Sequence, residues 1–401
     1  FVKLFKKFVF ISNRFTYFYH FYEIVKNCIM YNMKKQRICI VGDGLSGLTT
    51  AIALNNLPNL DIHLVTKKLL KKEDQRTTAI SESNFKFFKE NISNLNTKLF
   101  WPSKNIELFY ESKKKKINFL NIKAEKNNLM YVFENKKVKK ILLKEVKKKK
   151  IKTFSKNIKN LKELKNYELI ILCLGANAKI YEKIVKSRSI NKDYKEVAVT
   201  GFVKHKIKNL TTSQFFLREG PLAILPFSKN NFSFVWSLDK NFYNFNSKNI
   251  INIIKNKFQN LLSYKKKIQI NNIQSYPISL GLKRNYHDKN ILILGEGLHA
   301  IHPVAGQGFN LVIRDIKKLK EIIEYYSSLG IAITNSCALD EFYEQRKPEN
   351  NILALGIDVT HSFFKKNKYL DPFKELFLKN INKNNTLKKL SKIISNKGLS
   401  L

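Results

Sequence analysis

Residues 37–54, RICIVGDGLSGLTTAIAL, constrain the fold more than any other part of this sequence. The apolar run at 38–41 predicts a buried strand, the segment GDGLSG at 42–47 follows it, and an Ala- and Leu-rich helix begins there. Another apolar strand is predicted at 62–65. A GxGxxG motif in this strand–helix–strand setting is typical of a Rossmann-like βαβ unit, so the sequence predicts an α/β fold that binds a dinucleotide.

Each glycine of the motif has a predicted role. Gly42 permits the tight turn, Gly44 lets a pyrophosphate approach the backbone, and Gly47 lets the helix pack closely on the strand. Free N–H groups at the helix start favour a phosphate. Thr66 ends the second strand, where a carboxylate commonly holds the adenosine ribose, and its hydroxyl can form a weaker hydrogen bond to that ribose.

A second strand–loop–helix segment is found at residues 291–318, ILILGEGLHAIHPVAGQGFNLVIRDIKK. The apolar run predicts a buried strand, and a helix is predicted from Asn310 onwards. Such a helix start presents free N–H groups to an electron-rich or anionic partner. Several glycines, a proline, two histidines and a carboxylate fall between Gly295 and Gly308, which favours a functional loop over a purely structural one.

Arg76 lies in a third notable segment, residues 74–81, DQRTTAIS, which precedes a predicted helix. An arginine among small polar residues can contact a phosphate or the edge of a flavin there, and a solvated loop arginine is the alternative. Between residues 101 and 167 weak strands alternate with lysine runs at 113–116 and 147–150. We interpret these runs as solvated turns and sheet edges, because like charges in a row repel one another.

The hydrophobic period changes to two from residue 197 onwards. Alternating apolar residues up to 236 predict antiparallel strands with a hairpin turn at 228–231, residues 249–262 predict one amphipathic helix, and 268–282 return to strand. We therefore predict a discontinuous Rossmann-like domain with C-terminal helices and an inserted antiparallel-sheet substrate domain. The predicted boundaries are 34–183 and 284–401 for the first domain and 184–283 for the second.

Residues 1–32 are crowded with Phe, Tyr and Lys and have no clear period, and a strong strand follows soon after Met33. We expect this leader to be non-native or unstructured, translated from sequence upstream of a start at Met33. A basic targeting segment is the alternative.

Composition limits the classes of partner. The 401 residues carry a net charge of +43, but only eight of the 74 basic residues are Arg, and Lys is spread over the whole chain. Readers of nucleic acid rely more on Arg, so we expect no nucleic-acid partner, whereas contact with an anionic membrane stays open. No CxxC pair occurs and His299 and His302 are three apart on a loop, so neither a disulfide framework nor a metal site is expected.

Three motifs now stand in order: GxGxxG at Gly42, RTTAIS at Arg76 and GEGLHAIHPVAGQGFN at Gly295. Together they resemble the FAD-dependent aromatic hydroxylases of the p-hydroxybenzoate hydroxylase type. Within that group the sequence is most similar to the ubiquinone-biosynthesis hydroxylases, which oxidise a polyprenylated phenol ring. The segments that narrow the resemblance are RTTAIS, GPLAILP at 220–226, and YEQR at 343–346 followed by Asn350. The resemblance extends from about residue 34 to the C-terminus.

The resemblance implies FAD as the cofactor and assigns its binding residues. Gly42, Gly44 and Gly47 would hold the pyrophosphate, with Thr66 at the ribose and Arg76 near the active site. Glu296 stands where the family usually has an Asp that binds the ribityl chain, and Leu174–Gly175 stands where it has Asp–Gly. The residues that would line the isoalloxazine ring with backbone groups are Pro303, Gly306, Gln307, Gly308 and Asn310. No side chain is assigned as catalytic, because the flavin carries the reaction.

The implied activity is that of a monooxygenase that uses NAD(P)H and O₂ to hydroxylate the phenol ring of a polyprenylated ubiquinone precursor. Two alternatives stay open: another FAD-dependent hydroxylase or reductase of an aromatic or isoprenoid substrate, and a non-catalytic member of a membrane-associated ubiquinone-biosynthesis complex. No apolar run approaches the ~20 residues that a membrane span needs. We expect a cytoplasmic protein, and the prenyl tail of the substrate favours peripheral contact with the inner membrane and with other ubiquinone-biosynthesis proteins. A basic amphipathic helix is predicted at 387–394, and two alternatives stay open for it: contact with an anionic membrane interface, or packing on the protein or on a second subunit.

Overall fold

The computed structural model of this chain describes residues 35–67, 74–93, 95–112, 116–158, 160–176, 178–183, 189–264, 268–335, 337–365 and 371–381. The predicted leader at 1–32 and the basic helix at 387–394 lie outside the described residues. Within those residues, no helix combines the length and the apolar character that crossing a bilayer requires.

The described residues form the following strands and α-helices. The strands are β1 (Gln36–Val41), β2 (Leu60–Thr66), β3 (Thr77–Ser81), β4 (Trp101–Ser103), β5 (Asn105–Glu111), β6 (Lys116–Lys123), β7 (Met130–Glu134), β8 (Lys152–Ser155), β9 (Leu169–Leu172), β10 (Ile190–Lys204), β11 (Thr212–Leu217), β12 (Gly220–Ser228), β13 (Asn231–Asp239), β14 (Gln269–Leu282), β15 (His287–Asp288), β16 (Ile291–Ile293) and β17 (His299–Ala300). The α-helices are α1 (Leu45–Leu54), α2 (Glu82–Asn91), α3 (Asn135–Lys148), α4 (Lys240–Asn246), α5 (Ile250–Leu261), α6 (Gly308–Ser328), α7 (Ala338–Phe364) and α8 (Asp371–Ile381).

A six-stranded sheet in the order β15-β16-β9-β1-β2-β8 forms the centre of the nucleotide-binding part. Its pairs are parallel except for β15–β16. Strands β1 and β9 carry continuous apolar runs because both faces of the sheet are covered, and their side chains belong to the largest buried core. The predicted βαβ unit is confirmed: β1 leads into α1 and then into β2, which lies parallel to β1.

An eight-stranded sheet in the order β17-β14-β10-β13-β12-β11-β5-β6 forms the second layer. The helix α5 covers it, and Ile254 and Phe258 of α5 pack with Phe234 and Trp236 of β13 in a separate core. The predicted hairpin between β12 and β13 and the predicted helix at 249–262 are confirmed. Strands β5 and β6 join this sheet through a parallel pair between β11 and β5.

Helix α3 corrects one sequence expectation. The lysine run at 147–150 was expected to form turns and sheet edges, but its first residues form the last turn of α3. The helix forms because Val138, Leu142 and Val146 recur every four residues and are buried, while the lysines cover its outer face.

The fold class is confirmed as mixed α/β, with an antiparallel-rich sheet and helices at the C-terminal side. Helix α6 packs against both α1 and α7, and α8 packs against β6. The division of the chain into domains at residues 184 and 283 stays a prediction.

Candidate functional site

Four predicted segments meet at one edge of the six-stranded sheet. Gly42 follows β1, Thr66 ends β2, Leu174 follows β9 and Gly295 follows β16, and these four strands are neighbours that run in the same direction. The carboxyl ends of parallel strands lie at one edge, and the strand order reverses beside β1, since α1 leads to β2 on one side and β9 lies on the other. In open α/β sheets this edge is where ligands bind.

The three glycines of the GxGxxG motif differ in their surroundings. Gly42 has φ +126°, and a Cβ there would lie 2.2 Å from the carbonyl oxygen of Cys173. A Cβ on Gly47 would lie 2.0 Å from the carbonyl oxygen of Gly42, so both positions exclude any side chain. A Cβ on Gly44 would meet nothing within 4 Å. The first and third glycines therefore serve the close packing of strand and helix, and the second borders open space.

That open space lies at the start of α1. Gly44 is the N-cap residue and makes no side-chain hydrogen bond, so no side chain of the cap occupies the first N–H groups of the helix. Such N–H groups bind anions. Lys139 of α3 reaches the neighbouring Asp43, with its Nζ 2.9 Å from Oδ2. Open space and uncapped N–H groups fit a pyrophosphate, so the residues present are compatible with FAD.

Glu296 lies beside this helix start. Gly295 has φ +80°, and a Cβ on it would lie 3.1 Å from both Cβ and Oγ of Ser46 in the first turn of α1. Gly297 packs so closely on Tyr181 that a Cβ would lie 2.5 Å from the phenol oxygen. The tight turn leaves Glu296 itself exposed, in a position to accept hydrogen bonds from a ligand.

Arg76 is held by a neighbouring carboxylate that the sequence analysis did not assign. Its Nε and Nη2 donate to Oδ1 and Oδ2 of Asp74, both at 2.8 Å, and its guanidinium lies 5.1 Å from the centre of the Tyr276 ring on β14. The hydrogen bonds to Asp74 raise the pKa of Arg76, and the negative charges of Asp74 and Glu296 raise it further. Arg76 is therefore an oriented, permanently charged group in the electrostatic field of Glu296.

The loop from Pro303 to Gly308 precedes α6 and is stabilised by Asn310. The buried Asn310 side chain donates to the carbonyl oxygens of Ala79 at 3.0 Å and Gly306 at 3.1 Å, and accepts from the N–H of Ser81 at 2.9 Å. Its side chain thus holds the loop against β3 and leaves ligand contacts to backbone groups. Gly306, with φ +60°, and Gln307 and Gly308 are at least partly accessible.

Thr66 and Leu174 stand where the family that the sequence resembles usually has an acidic residue, and both lie at the same sheet edge. Thr66 is partly buried, and its carbonyl oxygen accepts the N–H of Lys156 at 2.9 Å. Leu174 is 39% exposed, and its N–H donates to the phenol oxygen of Tyr181 at 3.0 Å. Neither position supplies a carboxylate, so Glu296 is the acidic side chain that the predicted cofactor residues provide.

A cavity of about 230 Å³ opens beside the loop. Gly306, Gln307 and Asn310 line one side of it. The other walls combine apolar side chains of β5, β6 and β7 with polar groups; they include Ile106, Ile122, Leu129, Met130, Ser81 and Asn128. The lining also includes the polar and charged residues Glu82, Glu125, Lys126 and Asn127. The apolar part of the walls suits a small aromatic ring.

Two groups of buried polar residues in and around the motifs form internal hydrogen-bond networks. Asp315 of α6 is fully buried and accepts from Nε2 of His299 at 2.6 Å, from Nε of Arg346 at 2.7 Å and from Nδ2 of Asn350 at 3.0 Å. The YEQR segment of α7 thus anchors that helix to α6. Sequence reasoning missed Asp315, and its only local signal is a charged pair inside an otherwise apolar helix face.

Glu196, His302 and His361 form a second buried network, here called the Glu196 cluster, whose ligand-type atoms all lie within 4.8 Å of one another. Nδ1 of His302 accepts the N–H of Val304 at 3.2 Å. A neutral imidazole with Nδ1 as acceptor carries its proton on Nε2, so Nε2 of His302 donates to Glu196 at 3.0 Å and offers no lone pair to a metal. The geometry is that of a hydrogen-bonded network, and the expected lack of a metal stays a prediction.

Comparison with known proteins adds relatives in sequence. The family model for squalene epoxidase matches residues 235–388. The ubiquinone biosynthesis monooxygenase COQ6 of Dictyostelium discoideum is 28% identical over 246 residues, 50% of this chain and 50% of that protein. The 3-demethoxyubiquinol 3-hydroxylase of Escherichia coli is 28% identical over 175 residues, 43% of each chain. The chain thus spans about half the length of the curated relatives it matches.

Solved structures give the fold. The p-nitrophenol 4-monooxygenase PnpA of Pseudomonas putida superposes with a TM-score of 0.73 at 11% identity, covering 92% of this chain and 100% of that chain. Klebsiella pneumoniae HpxO, in complex with FAD and uric acid, superposes with a TM-score of 0.65 at 12% identity, covering 90% of this chain and 97% of that one. The chain has the fold of the FAD-dependent monooxygenases of the p-hydroxybenzoate hydroxylase type, and in sequence it is a homologue of the ubiquinone-biosynthesis hydroxylases.

Proposed function

We propose that this chain is an FAD-dependent monooxygenase that uses NAD(P)H and O₂ to hydroxylate the phenol ring of a polyprenylated ubiquinone precursor. The observation that carries the proposal is the open space at Gly44, which lies at the uncapped start of α1 and beside the turn that presents Glu296. The names of two sequence relatives, a ubiquinone biosynthesis monooxygenase and a 3-demethoxyubiquinol 3-hydroxylase, support the substrate class.

The residues at the sheet edge would bind and orient the cofactor. The first N–H groups of α1 would bind the pyrophosphate, and Glu296 would accept hydrogen bonds from ribityl hydroxyls. Backbone groups from Pro303 to Gly308 would face the isoalloxazine ring. Arg76, oriented by Asp74, would hold negative charge near the ring. When bound, the flavin supplies the oxidation–reduction chemistry with NAD(P)H and O₂.

The cavity beside the loop would hold the phenol ring of the substrate. Its apolar residues Ile106, Ile122 and Leu129 would exclude water from the reacting ring, and polar lining residues, among them Ser81 and Asn128, would hydrogen-bond the phenol oxygen. The ring would then lie beside Gly306 and Gln307, the residues proposed for the flavin.

The Gly44→Val variant tests the cofactor site. Its side chain would fill the space of the pyrophosphate, so we expect an FAD dissociation constant at least about 100-fold higher than that of the wild type, equal to a loss of about 2.7 kcal/mol. Quenching of flavin fluorescence on titration measures the constant. Gly356→Val in α7 is the matched control, because a Cβ there also meets nothing within 4 Å.

The proposal further requires that the FAD-loaded wild type oxidise NAD(P)H faster in the presence of a short-chain prenylphenol than in its absence. It also requires that the protein release a ring-hydroxylated product. A wild-type protein that cannot be loaded with FAD would contradict it. Full complementation of a deletion strain by Gly44→Val would instead support the non-catalytic role in a ubiquinone-biosynthesis complex.

A second candidate is an FAD-dependent hydroxylase or reductase of a different aromatic or isoprenoid substrate. The match of the squalene epoxidase family model to residues 235–388 favours it, because squalene, for which that family is named, is an isoprenoid. Mass spectrometry of the products from a prenylphenol and from squalene, offered to the same FAD-loaded protein, separates the two candidates.

We also propose peripheral contact with a membrane, since a polyprenyl tail is itself a membrane lipid. The surface that supports this is the α7–α8 apolar face, defined here by exposed side chains on both helices. Its members are Ile352, Leu355, Val359 and Phe363 of α7 and Phe373, Leu376 and Phe377 of α8.

A further inference from the structure

The Glu196 cluster lies directly behind the loop proposed to face the flavin. His302 is the residue before Pro303, is completely buried, and accepts the N–H of Val304 with Nδ1 at 3.2 Å. Its Nε2 donates to Oε2 of Glu196 at 3.0 Å. Pro303 has no N–H, so the N–H of Val304 is the first in the loop. The imidazole of His302 fixes this N–H, and the carboxylate of Glu196 on β10 fixes the imidazole.

The other end of the loop is held independently by Asn310, which donates to the carbonyl oxygen of Gly306 at 3.1 Å. The backbone between these two attachments is the part that would contact the isoalloxazine ring. A backbone site binds a rigid ring well only when its groups are already in position, because ordering them on binding costs affinity. His302 supplies that order at one end and Asn310 at the other.

The groups around His302 prevent its ring from turning. Oε1 of Glu196 accepts from Nε2 of His361 of α7 at 2.9 Å, and the two imidazole centres lie 4.2 Å apart. The ring of Tyr194 makes T-shaped contacts with both imidazoles, with centre-to-centre distances of 5.1 Å to His302 and 4.9 Å to His361, and its hydroxyl donates to Asp358 at 2.8 Å. Strand β10 and helix α7 thus hold the loop from two sides.

The protonation states of Glu196 and His302 agree with these hydrogen bonds. Burial raises the pKa of Glu196, but the hydrogen bonds from both histidines outweigh burial and lower the pKa to about 2. Burial lowers the pKa of His302 despite the opposing effect of Glu196. At neutral pH the carboxylate is therefore charged and accepts two hydrogen bonds, and His302 is neutral, as its acceptance of the Val304 N–H requires.

From these contacts we infer that Glu196 and His361 are positioning residues for the flavin-facing loop, and that Glu196 acts through His302. The inference rests on the proposed FAD site and assigns a role to side chains that the sequence motifs leave without one. None of the three residues touches the ring; they set the position of the backbone that does.

The His302→Phe variant is the first test. Phe keeps the ring but removes the acceptor of the Val304 N–H, so we expect the FAD dissociation constant to rise about tenfold. Hydrogen exchange of the loop peptide, followed by mass spectrometry without FAD, should accelerate as well. His205→Phe is the matched control, because His205 is also buried and its Nδ1 accepts the N–H of Ile207 at 3.0 Å, just after the end of β10 and nine residues from Glu196. That control should leave the FAD dissociation constant and the hydrogen-exchange rate of residues 303–310 unchanged.

A double-mutant cycle distinguishes positioning from general stability. If Glu196 acts through His302, Glu196→Gln raises the FAD dissociation constant in the wild type but has no further effect in the His302→Phe background. Additive effects would overturn the inference. If His302→Phe does not fold, His302→Asn replaces it, because its carbonyl can accept the Val304 N–H in an Asx turn but cannot reach Glu196. A full effect of Glu196→Gln in that background would also overturn it.

The outcomes separate this inference from the proposed function. Wild-type protein that fails to bind FAD overturns both. Wild-type protein that binds FAD, together with a His302→Phe variant that binds it equally well, overturns the positioning role alone. One equivalent of zinc or iron retained by the purified wild type and lost in His302→Phe would assign the cluster to a metal instead.

Discussion

Arg76 is oriented before any ligand binds, because both oxygens of Asp74 accept its guanidinium hydrogens at 2.8 Å. A bidentate pair fixes both the position and the plane of the cation. Asn135 donates to the same carboxylate at 2.9 Å and fixes it in turn. At the scale of single residues, Arg76 is therefore held in place by the side chain of Asp74, and Asp74 is held by the side chain of Asn135.

Replacing Asp74 with Asn should separate orientation from stability. The guanidinium keeps its charge but loses its bidentate partner, so we expect FAD affinity to fall severalfold while the free energy of unfolding changes by only about 0–1 kcal/mol, as for other half-exposed pairs. Flavin titration and urea denaturation measure the two quantities.

The control for this variant is Glu219→Gln, which breaks the pair with Lys257 at 2.8 Å on the other sheet and has similar exposure. It should leave FAD affinity unchanged. A large loss of stability in Asp74→Asn, with unchanged FAD affinity, would show that the pair serves the fold and not the site.

At the scale of helices and strands, the features that local chemistry determines could be predicted from sequence. The glycines of the first βαβ unit, the hairpin before Asn231 and the helix α5 follow from turn chemistry and hydrophobic period. Helix α3 was missed because its lysines obscure a four-residue apolar repeat. The parallel pairing of β11 with β5 was missed because nothing local marks a contact between strands about a hundred residues apart.

The connection between α6 and α7 depends on a buried charge, and the Asp315→Asn variant tests it. An amide in place of the carboxylate removes the fully buried charge beside the guanidinium of Arg346 and leaves the partly exposed Glu349 as its carboxylate partner, so we expect a loss of up to about 3–5 kcal/mol in the free energy of unfolding. Urea denaturation measures the loss. Glu321→Gln, which breaks an exposed pair with Lys318 on the same helix, should cost less than about 1 kcal/mol.

At the scale of the whole molecule, the candidate site is assembled from segments far apart in the sequence. Gly44, Arg76 and Glu296 each lie in a recognisable motif, so the residues could be named from the sequence. The side chains that hold the loop before α6 could not be named, because Asn84 of α2 meets Asn310 across 226 positions of sequence and only the fold brings the two together. Motifs thus predict the backbone segments of the candidate site, and the tertiary structure gives the side chains that hold these segments.

The α7–α8 apolar face gives the last prediction. Ile352, Leu355, Val359 and Phe363 are spaced by three and four residues and therefore lie on one side of α7, and the Phe363 ring is 6.0 Å from that of Phe377 on α8. The face continues in sequence into residues 382–401, which contain five lysines and no acidic residue. Apolar side chains that are followed in sequence by a basic segment suit an anionic lipid surface.

We expect the protein to sediment with vesicles that contain anionic phosphatidylglycerol and much less with neutral phosphatidylcholine vesicles. Val359→Asp and Phe373→Asp should each lower the bound fraction, since a charge at the centre of the face opposes insertion into the bilayer. Phe245→Asp is the control, because Phe245 is 91% exposed on α4, outside the face, and its replacement should leave binding unchanged. Equal binding by all three variants would show that lysine charge alone recruits the membrane, and a dimer that dissociates in Val359→Asp would show that a second copy covers the face instead.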